Sequence, residues 1–193
     1  MATASITHLT PAEYLEIERK ADFRSEFLNG AMFAMAGASV SHNRIVSNAL
    51  FHLRLALQGK DCDVLSNDLR IYVPATGLYT YPDISVVCGR LEFAGANQDT
   101  VTNPILLIEV LSESTKHYDR VEKFRHYRTI PSFREYLLLA QDEVRAEHHI
   151  RQDDGSWSFR EFTSAEDSIT LSSIDCTLTL ASAYERVEFS PTP

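Results

Sequence analysis

The chain has 193 residues, 44% of them apolar and 23% charged, enough for one domain with a well-buried core and hardly enough for two. Its 27 Asp and Glu against 18 Lys and Arg give a net charge of -9, which argues against strong non-specific nucleic-acid binding through phosphate neutralisation. No run approaches the roughly 20 apolar residues of a membrane span, and Cys62, Cys88 and Cys176, odd in number and in no CxxC pairing, support neither a disulfide framework nor a zinc site.

The expectation from these bounds is a cytoplasmic, single-domain protein over residues 1–193, with its core at about 10–185 and the cysteines as thiols. Met1 to Ile6 and the tail 188–193 read as loose.

"LTPAEYLEIE" opens with a helix-start signature: Thr10 caps, Pro11 fits the first turn and Glu13 completes a capping box. A helix over about Pro11 to Arg19 follows. In "RSEFLNGAMFAM", Asn29-Gly30 is a hairpin turn between strands at about Arg24 to Leu28 and Ala31 to Ala36. "VSHNRIVSNALFHLRLALQ" spaces Ile45, Ala49 and Leu53 as a long amphipathic helix, ended by Gly59.

Two strands, at about Asp63 to Val73 and Tyr81 to Cys88, are predicted around Pro74 to Gly77. "PILLIEVLS" shows no alternation and reads as a strand buried on both faces. "DRVEKFRHYRTI" is a helix stopped near Pro131. "FREYLLLA", "EVRAEHHI" and "SWSFREF" are further strands, with Asp153-Asp-Gly155 turning between the last two, and "LASAYERV" is a closing helix. The pattern predicts an α+β or mixed-sheet α/β domain, with helices packed on a curved central sheet.

Three carboxylates stand in unusual settings. Asp83 follows Pro82 at the head of "ISVVC", Glu109 lies inside the most apolar run of the chain, and Glu26 sits in the first hairpin strand. A lone buried carboxylate is costly and is tolerated mainly where a cation or functional partner compensates. If the strands of Asp83 and Glu109 are neighbours, the two face each other and can coordinate a hard cation such as Mg²⁺ or Mn²⁺. Such an ion suits phosphodiester hydrolysis, and Lys123 on the next helix is placed to orient water or neutralise charge.

Each residue alone has an ordinary reading. A buried Glu can bond backbone or an Arg, Pro-Asp is commonly a turn, and Glu26 and Lys123 resemble solvated surface charges. The joint pattern of Glu26, Pro82-Asp83, Glu109-x-Leu111 with Ser112 and Thr115, and Asp119-Arg120-x-x-Lys123 resembles the Uma-type restriction endonuclease family, within the PD-(D/E)XK superfamily. The resemblance runs from about Thr10 to Ile150.

That resemblance implies a restriction-endonuclease-like fold, a mixed central sheet flanked by helices. It implies a metal-dependent endonuclease hydrolysing DNA phosphodiesters, with Asp83 and Glu109 as ligands of Mg²⁺ or Mn²⁺, the Val110 carbonyl as a third, Glu26 assisting the metal or water and a candidate further ligand, and Lys123 as the catalytic lysine. Where the superfamily motif expects a lysine, this chain has Leu111, and Lys123 is the match on the following helix. Asp119, Arg120 and Tyr127 share the helix face of Lys123, with Arg120 and Tyr127 as phosphate-positioning groups and Val121 and Phe124 packing on the sheet. His42 occupies the family's position just before the long helix and is, with Arg120 and Tyr127, a candidate nucleic-acid-binding residue. A homodimer would supply the two sites that cutting a duplex requires.

Competing functions are a catalytically silent nuclease-fold module binding nucleic acid or protein, and a hydrolase of small phosphate esters. His148 and His149, adjacent in a strand, point to opposite faces and suit joint metal binding poorly. Ser112 lacks a G-x-S-x-G elbow and reads as a cap.

Overall fold

A computed structural model describes residues 8–189; the two termini expected to be loose lie mostly outside that range. Helix α1 (Pro11–Glu18) starts as predicted, with Thr10 accepting the Glu13 N–H and the Glu13 carboxylate accepting the Thr10 N–H at 2.8 Å. Strands β1 (Ser25–Leu28) and β2 (Ala31–Ala34) form the hairpin, and Asn29 and Gly30 take the positive φ of 50° and 83° that a two-residue turn requires. Helix α2 (Val40–Ala56) is capped by Ser39, which accepts the His42 N–H at 3.0 Å, and turns Ile45, Ala49 and Leu53 inward.

Where the sequence reads two strands, the structure has four: β3 (Cys62–Ser66), β4 (Arg70–Val73), β5 (Leu78–Thr80) and β6 (Ile84–Cys88). β3 pairs with β6, whereas β4 and β5 pair in a different sheet, so the chain changes sheets twice. The first change uses the turn at Asn67-Asp68 and the second uses Tyr81-Pro82-Asp83. Proline has no N–H to give a ladder, so a strand reading across Pro82 overruns the break.

The chain continues through β7 (Thr100–Val101) and β8 (Leu106–Leu111), then a π-helical segment (Tyr118–Lys123) running into α3 (Phe124–Tyr127). β9 (Glu135–Ala140), β10 (Ala146–Arg151) and β11 (Trp157–Phe162) follow as expected. A further hairpin, β12 (Ser168–Leu171) and β13 (Cys176–Thr179), precedes the short α4 (Leu180–Ala183).

The single central sheet of the sequence reading is thus two. A six-stranded mixed sheet runs β11-β10-β9-β8-β6-β3, with β8 and β9 parallel. A five-stranded sheet runs β2-β1-β5-β4-β7. One face of the mixed sheet, with Ile84, Val86, Ile108 and Leu137, packs on α2 and the last hairpin. The opposite face, with Val87, Leu107, Leu111 and Leu138, packs on Ile71, Val73 and Leu78 of the second sheet and on Tyr127 of α3. Helix α1 covers the second sheet through Tyr14, against Phe27, Met32 and Tyr79.

Two of the expected thiols are joined. Cys62 and Cys88 stand opposite each other in the β3–β6 register and form a disulfide, leaving Cys176 free. Their separation of 26 residues carries no local signature, and the pairing emerges only from strand register. No helix among the described residues is long and apolar enough to cross a membrane.

Ile108 is fully buried on the central strand. Ile108→Ala should lower unfolding free energy by about 2–5 kcal/mol. Val121→Ala, at an exposed position, should stay within about 0.5 kcal/mol, both read by denaturant unfolding.

Candidate active site

The antiparallel β6–β8 ladder pairs Ile84 with Ile108, so Asp83, one residue before β6, arrives beside Glu109. Glu109 lies on the same face of β8 as Leu107 and Leu111, turned towards the second sheet. That sheet brings Glu26 from β1, and the π-helical segment brings Tyr118, Asp119 and Lys123. All four carboxylates and the lysine are buried.

Lys123 is the centre of the arrangement. Its Nζ lies 3.0 Å from Glu109 Oε1, 3.1 Å from Asp119 Oδ1 and 3.3 Å from Glu26 Oε1. Tyr127 OH donates to the same Glu109 Oε1 at 3.0 Å. Glu26 is held at both oxygens, by Thr80 Oγ1 at Oε1 and by Tyr118 OH at Oε2, 2.9 Å away. Asp83 Oδ2 accepts the Val110 N–H at 2.7 Å and stands 3.2 Å from His42 Nε2.

A supporting network fixes the flanks of two of these residues. Glu18 Oε1 accepts the Ser25 N–H at 3.0 Å and the Tyr81 OH at 2.8 Å, and Arg70 donates to Tyr81 at 2.8 Å. Ser25 precedes Glu26 and Tyr81 precedes Pro82-Asp83, so α1 ties both approaches together.

The electrostatics follow from burial and from the excess of carboxylates over the one ammonium. Burial pushes the Glu109 carboxyl well above its ordinary range; Lys123 opposes this, while the charges of Asp119 and Asp83 add to it. Burial alone would pull the Lys123 ammonium down, yet Glu109, Glu26 and Asp119 hold it well above the usual lysine value. Burial also raises the Tyr127 and Tyr118 hydroxyls, so both stay protonated donors.

The donor chemistry fits a hard divalent cation: the available atoms are carboxylate oxygens with a surplus of negative charge. Among the described residues no group donates a hydrogen bond to Asp83 Oδ1 or Glu109 Oε2. The oxygens are nevertheless drawn towards the ammonium, and among the described residues no three His, Cys, Asp or Glu side chains are grouped to hold an ion.

Of the residues singled out in the sequence, Glu26, Asp83, Glu109 and Lys123 are brought together, with His42 and the Val110 amide on Asp83. Arg120 and Tyr127 do not form a phosphate-facing surface. Arg120 is spent on a bidentate pair with Glu147, at 2.7 to 3.1 Å, and Tyr127 is fully buried against Glu109. The π-helical turn is wider than the α-helical one assumed for the shared face, which carries Arg120 away from Lys123. It also leaves Val121 exposed, while Phe124 packs on Tyr136 and Trp157.

Thr80 and Tyr118 carry no signal in the sequence; Tyr118 lies five residues before Lys123, a spacing that means nothing unless the turn is π-helical. His148 bonds Glu135 at 2.8 Å and His149 packs on Phe124 and Phe159, pointing apart as their adjacency predicts. Ser112 Oγ accepts the Thr115 N–H at 3.2 Å, a cap.

The architecture is that of the restriction-endonuclease-like nucleases. A crystal structure titled as a "putative nuclease belonging to DUF820" from Anabaena variabilis ATCC 29413 has the same fold, with a TM-score of 0.75 over 91% of this chain and 97% of that one at 17% identity. The chain belongs to the Uma2 family, described as "Putative restriction endonuclease", whose profile matches residues 11–182.

Two relatives come from Synechocystis sp. (strain ATCC 27184 / PCC 6803 / Kazusa). "Uncharacterized protein sll1609" is 37% identical over 172 residues, 89% of this chain and 97% of its own. "Uncharacterized protein slr1290" is 33% identical over 187 residues, 97% of each. Family membership supports a nuclease-like function.

Lys123→Met leaves three buried carboxylates without their cation. In EDTA it should lower unfolding free energy by about 3–5 kcal/mol, measured by urea denaturation.

Proposed function

We propose that the protein is a divalent-metal-dependent endonuclease hydrolysing DNA phosphodiesters, with Asp83 and Glu109 as ligands of Mg²⁺ or Mn²⁺. The observation that carries this reading is the convergence of Asp83, Glu109, Glu26 and Lys123, from four separate segments, on one buried point. When bound, the cation supplies a Lewis acid that polarises a phosphoryl oxygen and acidifies a water.

The protein's own groups do the positioning. The Val110 N–H and His42 fix Asp83 Oδ2 and leave Oδ1 for ligation. Tyr127 orients Glu109 through Oε1 and leaves Oε2 for ligation. Glu26, engaged at both oxygens, assists by steering Lys123 rather than by ligation. Lys123 holds a proton-rich ammonium where negative charge develops on the phosphoryl group or the attacking water. The Val110 carbonyl remains the third ligand of this proposal.

A second reading, a silent nuclease-fold module that binds nucleic acid or protein, is favoured by the net charge of -9 and by the ammonium that engages the carboxylates. Binding of labelled DNA in Ca²⁺, followed by addition of Mg²⁺ and analysis of products, separates the two. Cleavage after Mg²⁺ supports the endonuclease; binding without products in Mg²⁺ or Mn²⁺ supports the silent module.

Asp83→Asn keeps the acceptor for Val110 and loses a charge. It should retain the wild-type circular dichroism spectrum while cleavage falls by about 100-fold or more. His42→Ala, which removes a partner of Asp83 rather than a ligand, should weaken Mn²⁺ binding or cleavage by about 10–100-fold.

A further inference from the structure

We propose that the Lys123 ammonium is the resident counter-cation of Glu109, and that a divalent ion gains Glu109 by displacing this ammonium onto Asp119. The inference rests on the metal-site reading above and assigns Asp119 as a positioning residue that acts through Lys123.

An ammonium has three protons, and Lys123 faces three carboxylates at 3.0, 3.1 and 3.3 Å. These contacts are unequal. The contact with Glu109 Oε1 is a hydrogen bond, whereas Asp119 Oδ1, though 3.1 Å from Nζ, is out of line and makes no hydrogen bond at all. Lys123 therefore has, within reach, a buried carboxylate oxygen whose bonding is incomplete. Such an atom carries a desolvation cost that an ammonium turning towards it would relieve.

Glu109 presents the opposite situation. Its Oε1 is shared by Lys123 and Tyr127, and the charge beside it is what makes its burial tolerable. A divalent cation binding the same carboxylate brings two like-signed charges within a few ångströms of each other, in a site with little water to screen them. The ammonium must then retreat.

Asp119 is the nearest acceptor that is not itself a candidate ligand, and it is firmly placed. Its N–H donates to Thr115 O at 2.9 Å and its carbonyl accepts Tyr136 OH at 3.1 Å. A retreat to Asp119 keeps Lys123 beside Glu26 and inside the site while freeing Glu109.

The test measures Mn²⁺ binding to the metal-stripped full chain by calorimetry, for wild type, Lys123→Met and Asp119→Asn. Lys123→Met should bind about 10-fold or more tightly than wild type, and the gain should persist at about 1 M salt, where through-space effects of exposed charges are screened. Its thermal midpoint should rise more on Mn²⁺ addition than that of wild type. Asp119→Asn should bind several-fold more weakly.

Wild-type binding with an unchanged or weakened Lys123→Met overturns displacement, and an Asp119→Asn protein of wild-type affinity overturns the role of Asp119. If neither wild type nor Lys123→Met binds Mn²⁺, the metal-site reading itself fails. Should Lys123→Met not fold, the ¹⁵N resonance of the Lys123 ammonium in wild-type protein decides. It should move on Mg²⁺ saturation, and a resonance unmoved by bound Mg²⁺ overturns the proposal.

Discussion

One buried ammonium governs this structure. Lys123 is 6% exposed and is touched by carboxylates from β1, β8 and its own π-helical segment. Isolated charges of that kind are expelled from a protein interior or neutralised, so each element that carries one here must meet what another supplies. The apolar faces of the two sheets would associate without this cluster. What the cluster adds is a fixed alignment between them, because Glu26 rides on one sheet and Glu109 on the other.

The crossing at Tyr81-Pro82-Asp83 makes that alignment possible. Thr80 still belongs to the five-stranded sheet and reaches Glu26, while three residues later Asp83 heads the strand beside Glu109. Pro82 ends one ladder and permits the next to begin. The Glu18 carboxylate, bridging the Ser25 N–H and the Tyr81 hydroxyl, braces both sides of the crossing from α1. Residues outside the cluster thus set distances within it, as expected where a reactive arrangement is held by a supporting layer.

Much of this was legible in the sequence wherever the signal was local. The capping box of Thr10 and Glu13, the Asn29-Gly30 turn and the 3.6-residue spacing of Ile45, Ala49 and Leu53 each specify an element through contacts a few residues apart. Glu109 was legible too, because a carboxylate in an unbroken apolar strand is costly enough to need a reason.

What escaped depends on register or pitch. The joining of Cys62 to Cys88 follows from which strands are neighbours. The roles of Thr80 and Tyr118 follow from a sheet crossing and a π-helical turn, and apolar periodicity encodes neither. Counting by the α-helical pitch puts Arg120 on the face of Lys123, and the wider turn gives it to Glu147 instead.

That wider turn separates two things that a strand-borne lysine would keep together. A lysine at the position of Leu111 would be locked to Glu109 by strand geometry, rising and falling with the sheet. Carried on a helix, Lys123 is set by the pitch of a different element, so insertions or shifts there can re-aim the amine while Asp83 and Glu109 stay in place. The acidic pair and the amine are in this sense independent modules. The chain can vary the reach and direction of this buried cation without disturbing the strands that form its core.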